Sequence, residues 1–160
     1  MDNYNAQTIS KHSFCEVVLQ KTNQQKMLRS LKNFSVNEKI CSFEAEKIVE
    51  APNYLTIQIN VNQHIHLSPS YLQFINHSCE PNVFFDTVAM EIIAIKDIYP
   101  GNEFCFFYPS TELEMKQTFQ CNCKTEKCIH EIAGAALMDK AILSTYKLSP
   151  FIQESIFTTI

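Results

Sequence analysis

The clearest pattern along the chain is the alternation of apolar and polar side chains in residues 54–61, "YLTIQINV". Successive side chains of a β-strand point to opposite faces of a sheet. The pattern therefore predicts a strand with an apolar face that includes Ile57 and Val61 and a polar face that includes Thr56 and Gln58. Shorter apolar runs predict further strands at residues 14–19, 39–49, 82–86, 88–95 and 103–108.

Helical signals are fewer and lie mostly in the second half of the chain. Residues 68–75 open with a Ser-Pro pair, which is the usual start of a short helical turn. Residues 131–146 predict one helix, and a second helix is expected to open with Ser149 and Pro150. Residues 1–12 are polar and predict no regular structure. Together these patterns predict a small, mainly β domain with a C-terminal appendage.

The composition narrows the classes of function. A chain of 160 residues with 46% hydrophobic side chains is long enough for one domain with its own core. The net charge of -4 and the lack of a basic run argue against a surface that binds nucleic acid directly. Two glycines are too few for a phosphate-binding glycine loop. With no apolar run of membrane-spanning length and no signal-peptide pattern, we expect a cytoplasmic protein without a membrane partner.

The cysteines carry the strongest chemical signal. Seven is an odd number, and a reducing compartment makes a disulfide framework unsuitable. Three of the cysteines form a C-x-C-x4-C pattern in a polar loop, namely Cys121, Cys123 and Cys128. Exposed thiols at such spacing are typical of a structural zinc site, which takes four ligands. The fourth ligand would be Cys79 or His130. The other three thiols lie within apolar strands and are expected to be core residues, namely Cys15, Cys41 and Cys105.

Two further polar groups are ambiguous when each is considered alone. Asn76 and His77 follow the predicted helical turn, where an Asn-His pair more often forms a hydrogen-bonded turn than a ligand site. Tyr108 ends an aromatic strand, where a tyrosine is more often part of the core than catalytic. Neither position supports a function from its own chemistry.

The order of three motifs along the chain indicates a function, which the single residues do not. "FINHSCEPN", "PGNEFCFFY" and "CNCKTEKC" follow one another in this order along the chain. The combination resembles the SET-domain protein-lysine methyltransferases, over about residues 14–130. In that family an N-H-S-C segment is followed by a G-E strand that ends in tyrosine and by a post-SET C-x-C-x4-C. Gly101, Glu103, Phe106 and Tyr108 match the second motif at the right spacing.

The resemblance implies the fold and its division. The fold would be mainly β, built of small sheets with a pseudoknot in which the N-H-S-C segment and the aromatic strand cross. A SET domain would span residues 14–115, a post-SET zinc segment residues 116–134, and a helical tail residues 135–160. The activity implied is methyl transfer from S-adenosylmethionine to a lysine of a protein substrate, with di- and trimethylation possible.

The resemblance also implies roles for individual residues. The cofactor S-adenosylmethionine would be contacted by residues from two segments, namely Lys26, Met27, Leu28, Asn76 and His77. Tyr108 would be the catalytic tyrosine, and Phe106 would lie in the channel for the substrate lysine. One structural zinc ion would be held by four cysteines, namely Cys79, Cys121, Cys123 and Cys128.

One departure from the family pattern leaves an alternative open. The family's cofactor loop usually reads G-x-G, whereas Gln25 and Met27 occupy the two glycine positions here. A left-handed backbone at either residue would cost about 1 kcal/mol or more. The alternative is a SET-like scaffold that binds a partner without catalysing a reaction. A zinc-knuckle protein that binds nucleic acid and a methyltransferase that acts on a small amine are further alternatives.

Overall fold

The computed structural model describes residues 5–158 and is mainly β, as predicted from the sequence. These residues form thirteen strands in five small sheets. The strands are β1 (Ala6–Lys11), β2 (Cys15–Gln20), β3 (Lys26–Ser30), β4 (Lys39–Ser42), β5 (Glu44–Val49), β6 (Thr56–Asn60), β7 (Gln63–Ser68), β8 (Asn76–His77), β9 (Val83–Asp86), β10 (Glu91–Ala94), β11 (Cys105–Phe106), β12 (Phe119–Gln120) and β13 (Glu131–Ile132). The sheets have the orders β1-β2-β3, β4-β10-β9, β5-β7-β6, β8-β11 and β12-β13.

The N-terminal segment is more regular than its polar sequence predicted. Strand β1 pairs antiparallel with β2, which pairs in turn with β3. Most side chains of β1 are exposed, so the strand carries no apolar alternation that could reveal it. Its stability comes from backbone pairing, together with a hydrogen bond from the Thr8 hydroxyl to the Glu16 carboxylate (3.0 Å). Residues 1–4 of the predicted irregular segment lie outside the described residues.

The strand predicted from the alternating pattern is present as β6, but its faces differ from the prediction. Gln58, expected on a polar solvent face, is only 5% exposed, whereas Val61 is 64% exposed. The reason is a polar pairing with a distant segment. The Gln58 backbone N–H donates to the Glu112 carboxylate (3.0 Å), and the Gln58 side-chain carbonyl accepts from the Leu113 N–H (2.9 Å). Both faces of β6 are therefore covered at this point.

Two of the predicted strands are shorter than expected or divided. The run 39–49 breaks at the buried Phe43 into β4 and β5, which belong to different sheets. The run 103–108 contains only the two residues of β11, followed by a 3-10 helix at Tyr108–Ser110.

The helical turn predicted at 68–75 is present as a 3-10 helix at Ser70–Phe74. It starts later than predicted, because Ser68 still belongs to β7.

The short parallel pair of β8 and β11 is the element that positions the site. It joins Asn76 to Cys105 and His77 to Phe106 in register. Parallel strands cannot be joined by a tight turn, so the chain makes a long excursion between them. The Asn82 side chain fixes the crossing, because it donates to the Glu103 carbonyl (2.8 Å) and accepts from the Cys105 N–H (2.9 Å).

The prediction of a single helix at residues 131–146 is wrong. This segment instead forms β13, a 3-10 helix at Ala135–Leu137 and the short helix α1 (Lys140–Leu143). Gly134 lies so close to the backbone of Leu113 that a Cβ atom at this position would clash with the Leu113 carbonyl oxygen. This tertiary contact overrides the helical propensity of the segment. The helix expected after Ser149 is present as α2 (Pro150–Phe157), and the Ser149 side chain caps it by accepting from the Ile152 N–H.

The C-terminal elements pack as a second apolar cluster beside the main core. Phe107, Ala135, Leu143 and Ile152 form the buried centre of this tail cluster. The Tyr146 ring stacks on Phe107 with centroids 3.6 Å apart. The last two residues of the predicted tail, 159–160, lie outside the described residues. Within residues 5–158 no helix has the length and apolar character needed to cross a membrane.

Candidate active site and metal centre

Four cysteine side chains converge where the loop between β12 and β13 meets the segment after β8. The Sγ atoms of Cys79, Cys121, Cys123 and Cys128 all lie within 4.8 Å of one another. The Cys79 and Cys121 sulfur atoms are 3.8 Å apart. A tetrahedral ion with metal–sulfur bonds of about 2.3 Å would place its ligand atoms about 3.8 Å apart, so this donor set fits zinc. His130, the alternative fourth ligand, is exposed and is not part of the cluster.

Groups around the cysteines hold the ligand loop to the core. The Ile129 N–H donates to the Cys79 sulfur (3.4 Å), and the Tyr146 hydroxyl donates to the Cys79 carbonyl (2.7 Å). Burial raises the pKa of the Cys79 thiol to about 11, so a cation is needed to hold it as a thiolate at neutral pH. The three remaining thiols lie apart from this cluster on β2, β4 and β11. Cys15 is a core residue as predicted, Cys41 packs partly buried against the core, and Cys105 lines the polar cleft described next.

Beside the metal cluster lies a polar cleft of about 600 Å³. Four of the residues with predicted cofactor or catalytic roles line it, namely Met27, Asn76, His77 and Tyr108. The wall also includes Glu103, Phe119 and the loop from Cys121 to Lys124. The volume lies within the range of small-molecule and cofactor sites.

Lys26 and Leu28 do not line this cleft. Leu28 is fully buried in the core, and its backbone carbonyl accepts from the Phe104 N–H (2.8 Å). The Lys26 backbone carbonyl accepts a hydrogen bond from the Asn76 side-chain amide (2.9 Å), so Lys26 supports a residue of the cleft. Cofactor contacts from these two residues stay a prediction.

Asn76 and His77 are held by β8 in fixed orientations. The side-chain amide nitrogen of Asn76 also lies 3.2 Å from a Glu103 carboxylate oxygen. The side-chain carbonyl oxygen of Asn76 accepts no hydrogen bond from the part of the chain that is described. The Nδ1 atom of His77 accepts from the Tyr108 backbone N–H (3.2 Å). Burial lowers the pKa of His77 to about 4, so its imidazole is neutral at pH 7.

The loop that lacks the family's glycines does not require them. Among residues 5–158, neither Gln25 nor Met27 has a positive φ, and the left-handed residue of this turn is Gln24, at φ 59°. The Gln25 N–H bonds to the Asn23 side chain, and Met27 lies in β3. The expected strain at the two glycine positions is therefore absent, which weakens the reason for the inactive-scaffold alternative.

A second cleft, of about 430 Å³, approaches Tyr108 from another direction. Its wall is largely apolar and includes Leu72, Phe85, Phe106 and Met115. Tyr108 and Phe119 line both clefts, so the two spaces meet at these rings. The Phe106 and Tyr108 ring centroids are 4.7 Å apart. Burial raises the pKa of the Tyr108 hydroxyl well above its usual range, so the group stays protonated.

Sequence reasoning assigned no role to three residues of these clefts. Phe119 lies between the second and third motifs, where nothing in its neighbourhood marks it. Glu103 was recognised within its motif without a role, yet it bonds to Asn76. Glu112 belongs to a polar stretch that reads as a loop, but its side chain is buried in the wall of the apolar cleft. No local pattern could have identified Phe119 or Glu112.

Comparison with known proteins agrees with this geometry. The family model "SET domain" matches residues 7–109. Methyltransferase flvH of Aspergillus flavus is 38% identical over 103 residues, which are 63% of this chain and 57% of that protein. Probable histone-lysine N-methyltransferase set-23 of Caenorhabditis elegans is 38% identical over 63 residues, 35% of this chain and 26% of that protein. A Candida albicans histone-lysine N-methyltransferase, H3 lysine-36 specific, is 35% identical over 77 residues, 44% of this chain and 9% of its own length. The chain thus spans little more than half of the first relative and a smaller share of the other two.

Proposed function

The chain belongs to the SET-domain family, and from this premise we propose that it transfers a methyl group from S-adenosylmethionine to the ε-amine of a lysine in a protein. The observation that carries the proposal is the meeting of two clefts at Tyr108 and Phe119. One cleft is polar and large enough for a cofactor, and the other is apolar and leads to the same tyrosine. Such an arrangement lets two molecules approach one point from separate sides.

Residues of β8 and β3 would hold the cofactor in the polar cleft. Met27, Asn76 and His77 line it, and the free carbonyl oxygen of Asn76 is a hydrogen-bond acceptor for a cationic ligand. S-adenosylmethionine, when bound, supplies an electrophilic methyl group on a sulfonium. The neutral imidazole of His77 adds no repulsion toward that positive charge. Lys26 would contribute by accepting from the Asn76 side chain, and Leu28 by packing β3 into the core.

Tyr108 would align the acceptor amine. Methyl transfer needs in-line geometry, and positioning supplies much of the rate in such reactions. A free lysine has a pKa near 10.4, so presenting the neutral amine at pH 7 costs roughly 4–5 kcal/mol. A dry apolar cleft lowers this cost, because desolvation disfavours the ammonium. The aromatic faces of Phe106, Tyr108 and Phe119 also favour methylammonium products.

The metal centre would be structural. Cys79, Cys121, Cys123 and Cys128 would hold one zinc ion and tie the loop that carries part of the cleft wall to the end of β8. Zinc with four thiolates has no open position for a substrate, so its contribution is to folding. No step of the reaction is assigned to it.

A protein is the proposed acceptor, with no direct nucleic-acid or membrane partner. Two of the relatives are named as histone-lysine methyltransferases, which supports a lysine in a protein as the target. The net charge of -4 gives little reason to expect binding to a phosphate backbone.

The proposal is tested with the zinc-loaded chain and isotope-labelled S-adenosylmethionine. Calorimetry would measure cofactor binding, and mass spectrometry would identify methylated lysines after incubation with core histones and with cell lysate. A labelled protein lysine is the expected result. Cofactor binding without any product would favour the scaffold alternative, label appearing only in small amines would favour that class of acceptor, and no binding at all would contradict the proposal.

Replacing Phe106 by Tyr is expected to stop the reaction at monomethyl-lysine. Phe106 is buried in the wall of the apolar cleft, against Phe85 and Tyr108. A tyrosine hydroxyl there would hold a water molecule where a second methyl group must go, and holding such a water is worth about 0–2 kcal/mol. Because 1.4 kcal/mol already changes a rate tenfold, the wild type is expected to proceed to di- and trimethyl-lysine. The product distribution by mass spectrometry under excess cofactor would measure this, and a purely monomethylated wild-type product would refute it.

A further inference from the structure

Glu112 is a buried carboxyl for which the proposed reaction so far has no use. Its side chain is only 5% exposed, and it lies in the wall of the apolar cleft that also contains Phe106 and Tyr108. A carboxyl group in such surroundings is costly unless it has a partner, because desolvation penalises its charged form.

The position of this carboxyl is fixed by hydrogen bonds on one side only. Its Oε1 atom accepts from the Gln58 backbone N–H (3.0 Å) and from the Thr111 hydroxyl (3.1 Å). The side-chain carbonyl oxygen of Gln58 accepts from the Leu113 N–H (2.9 Å). Strand β6 and the segment around Glu112 are therefore joined by hydrogen bonds in both directions. The Oε2 atom accepts no hydrogen bond within the described residues 5–158. One oxygen of a side chain that lines the cleft is thus anchored, and the other has no hydrogen-bond partner among those residues.

No positive charge in residues 5–158 forms an ion pair with this carboxyl. The ion pairs formed between described residues join Arg29 to Glu16 and Lys39 to Glu91, neither of which lies at the cleft. Lys116 lines the same cleft, but it is exposed and forms no ion pair with Glu112 in the described part of the chain. Burial consequently raises the pKa of Glu112 to about 8. An anchored acid that lacks a cation, in a cleft where a substrate amine is expected, is arranged to receive a cation.

We propose that Glu112, as its carboxylate, binds the incoming substrate ammonium inside the apolar cleft and so positions it before Tyr108. One N–H proton of the ammonium then passes to this carboxylate, which leaves the neutral amine that methyl transfer requires. This inference rests on the proposed function only in that the amine is the methyl acceptor. The apolar wall would accept the four-carbon stem of the side chain, and the carboxylate would bind the charged head. A charge-assisted hydrogen bond is the strong kind, which suits a group that must select amines over neutral ligands.

The test uses two small probes on the zinc-loaded chain without cofactor. 1-Butylamine imitates the end of a lysine side chain, and 1-butanol has the same stem without the charge. Binding is followed by NMR chemical-shift titration of both probes to the wild type and to Glu112→Gln. The Gln variant keeps the size of the side chain and an oxygen that can accept from Gln58 and Thr111. We expect the wild type to prefer the amine by about tenfold or more, and Glu112→Gln to lose this preference while binding the alcohol equally well.

Glu114→Gln is the matched control, because it makes the same charge change two residues away on an exposed side chain outside the cleft. It should keep the preference for the amine. Glu112→Asp retains the charge, and it serves as the second variant if Glu112→Gln fails to fold; it should keep part of the preference. A wild type that binds both probes equally, or a Glu112→Gln variant that still prefers the amine, overturns the proposal.

Turnover separates this inference from the proposed function. If Glu112→Gln raises the KM for a lysine acceptor and leaves cofactor affinity unchanged, both stand. If the amine preference depends on Glu112 but no acceptor is methylated, the binding site stands and the proposed activity fails. If methylation proceeds in the wild type while the probes show no dependence on Glu112, the activity stands and the role of Glu112 is refuted.

Discussion

Replacing Tyr108 by Phe is expected to slow methyl transfer by about 10²–10³-fold, the range seen when one preorganised polar group is removed from an active site. Tyr108 lines both clefts, so its hydroxyl is the polar group best placed to orient the amine. That hydroxyl forms no hydrogen bond to another side chain or carbonyl within residues 5–158, so its loss leaves no partner unsatisfied. Stability and cofactor affinity should therefore change little, and single-turnover rates with calorimetric cofactor binding would measure the difference.

Tyr99→Phe is the matched control for this experiment. Tyr99 is 57% exposed and lines neither cleft, so the same loss of a hydroxyl there should leave the rate unchanged. A Tyr108→Phe variant that retains the wild-type rate would show that the 3-10 helix at Tyr108–Ser110 does not present a catalytic group. A variant that loses cofactor binding in parallel would assign Tyr108 to binding instead.

Replacing Cys79 by Ser is expected to reduce the zinc content from one equivalent per chain to nearly none. Cys79 is the ligand that comes from the main body of the fold, whereas the other three come from the loop between β12 and β13. Zinc held by such sites contributes on the order of 10 kcal/mol to folding in small zinc domains. Its loss should release this loop, and with it the wall of the polar cleft formed by Cys121 to Lys124.

Metal analysis and hydrogen exchange would measure the two parts of this expectation. Exchange should increase in residues 119–132, while the main core around Phe85 and Ile65 stays protected, because that core has its own buried cluster. Cys41→Ser is the control, since Cys41 lies in β4 outside the cluster and should leave zinc bound. Full zinc content in Cys79→Ser would require another ligand and would overturn the four-cysteine assignment.

The sequence predicted the elements whose signals are local or carry a specific spacing. The C-x-C-x4-C pattern predicted three ligands of a metal site and left Cys79 and His130 open as the fourth, the resemblance to the family implied Cys79, and the four sulfur atoms do converge. The mainly β class followed from short apolar runs, and α2 followed from the Ser149-Pro150 start. Each of these rests on neighbours in the chain or on chemistry that has few alternatives.

The features that the sequence did not predict depend on contacts between distant segments. Gln58 reads as a solvent-facing residue, and only its pairing with Glu112, 54 residues later, explains its burial. The segment after Glu131 has helical propensity, but the fit of Gly134 against Leu113 holds it in another conformation. Strand β1 lies at a sheet edge and is held by backbone pairing with β2, so it needs no apolar face and has none. Such contacts leave no periodic trace in either segment.

The stacking of Tyr146 on Phe107 also determines when the protein can finish folding during its synthesis. A ribosome adds about 5–20 residues per second, so Tyr146, which lies 39 residues after Phe107 (146 − 107), is made about 2–8 s later. Throughout that interval the nascent chain exposes one face of Phe107, together with the backbone of Cys79 that Tyr146 later binds. Packing around Phe107 is thus completed only after the segment that carries Tyr146 has been made.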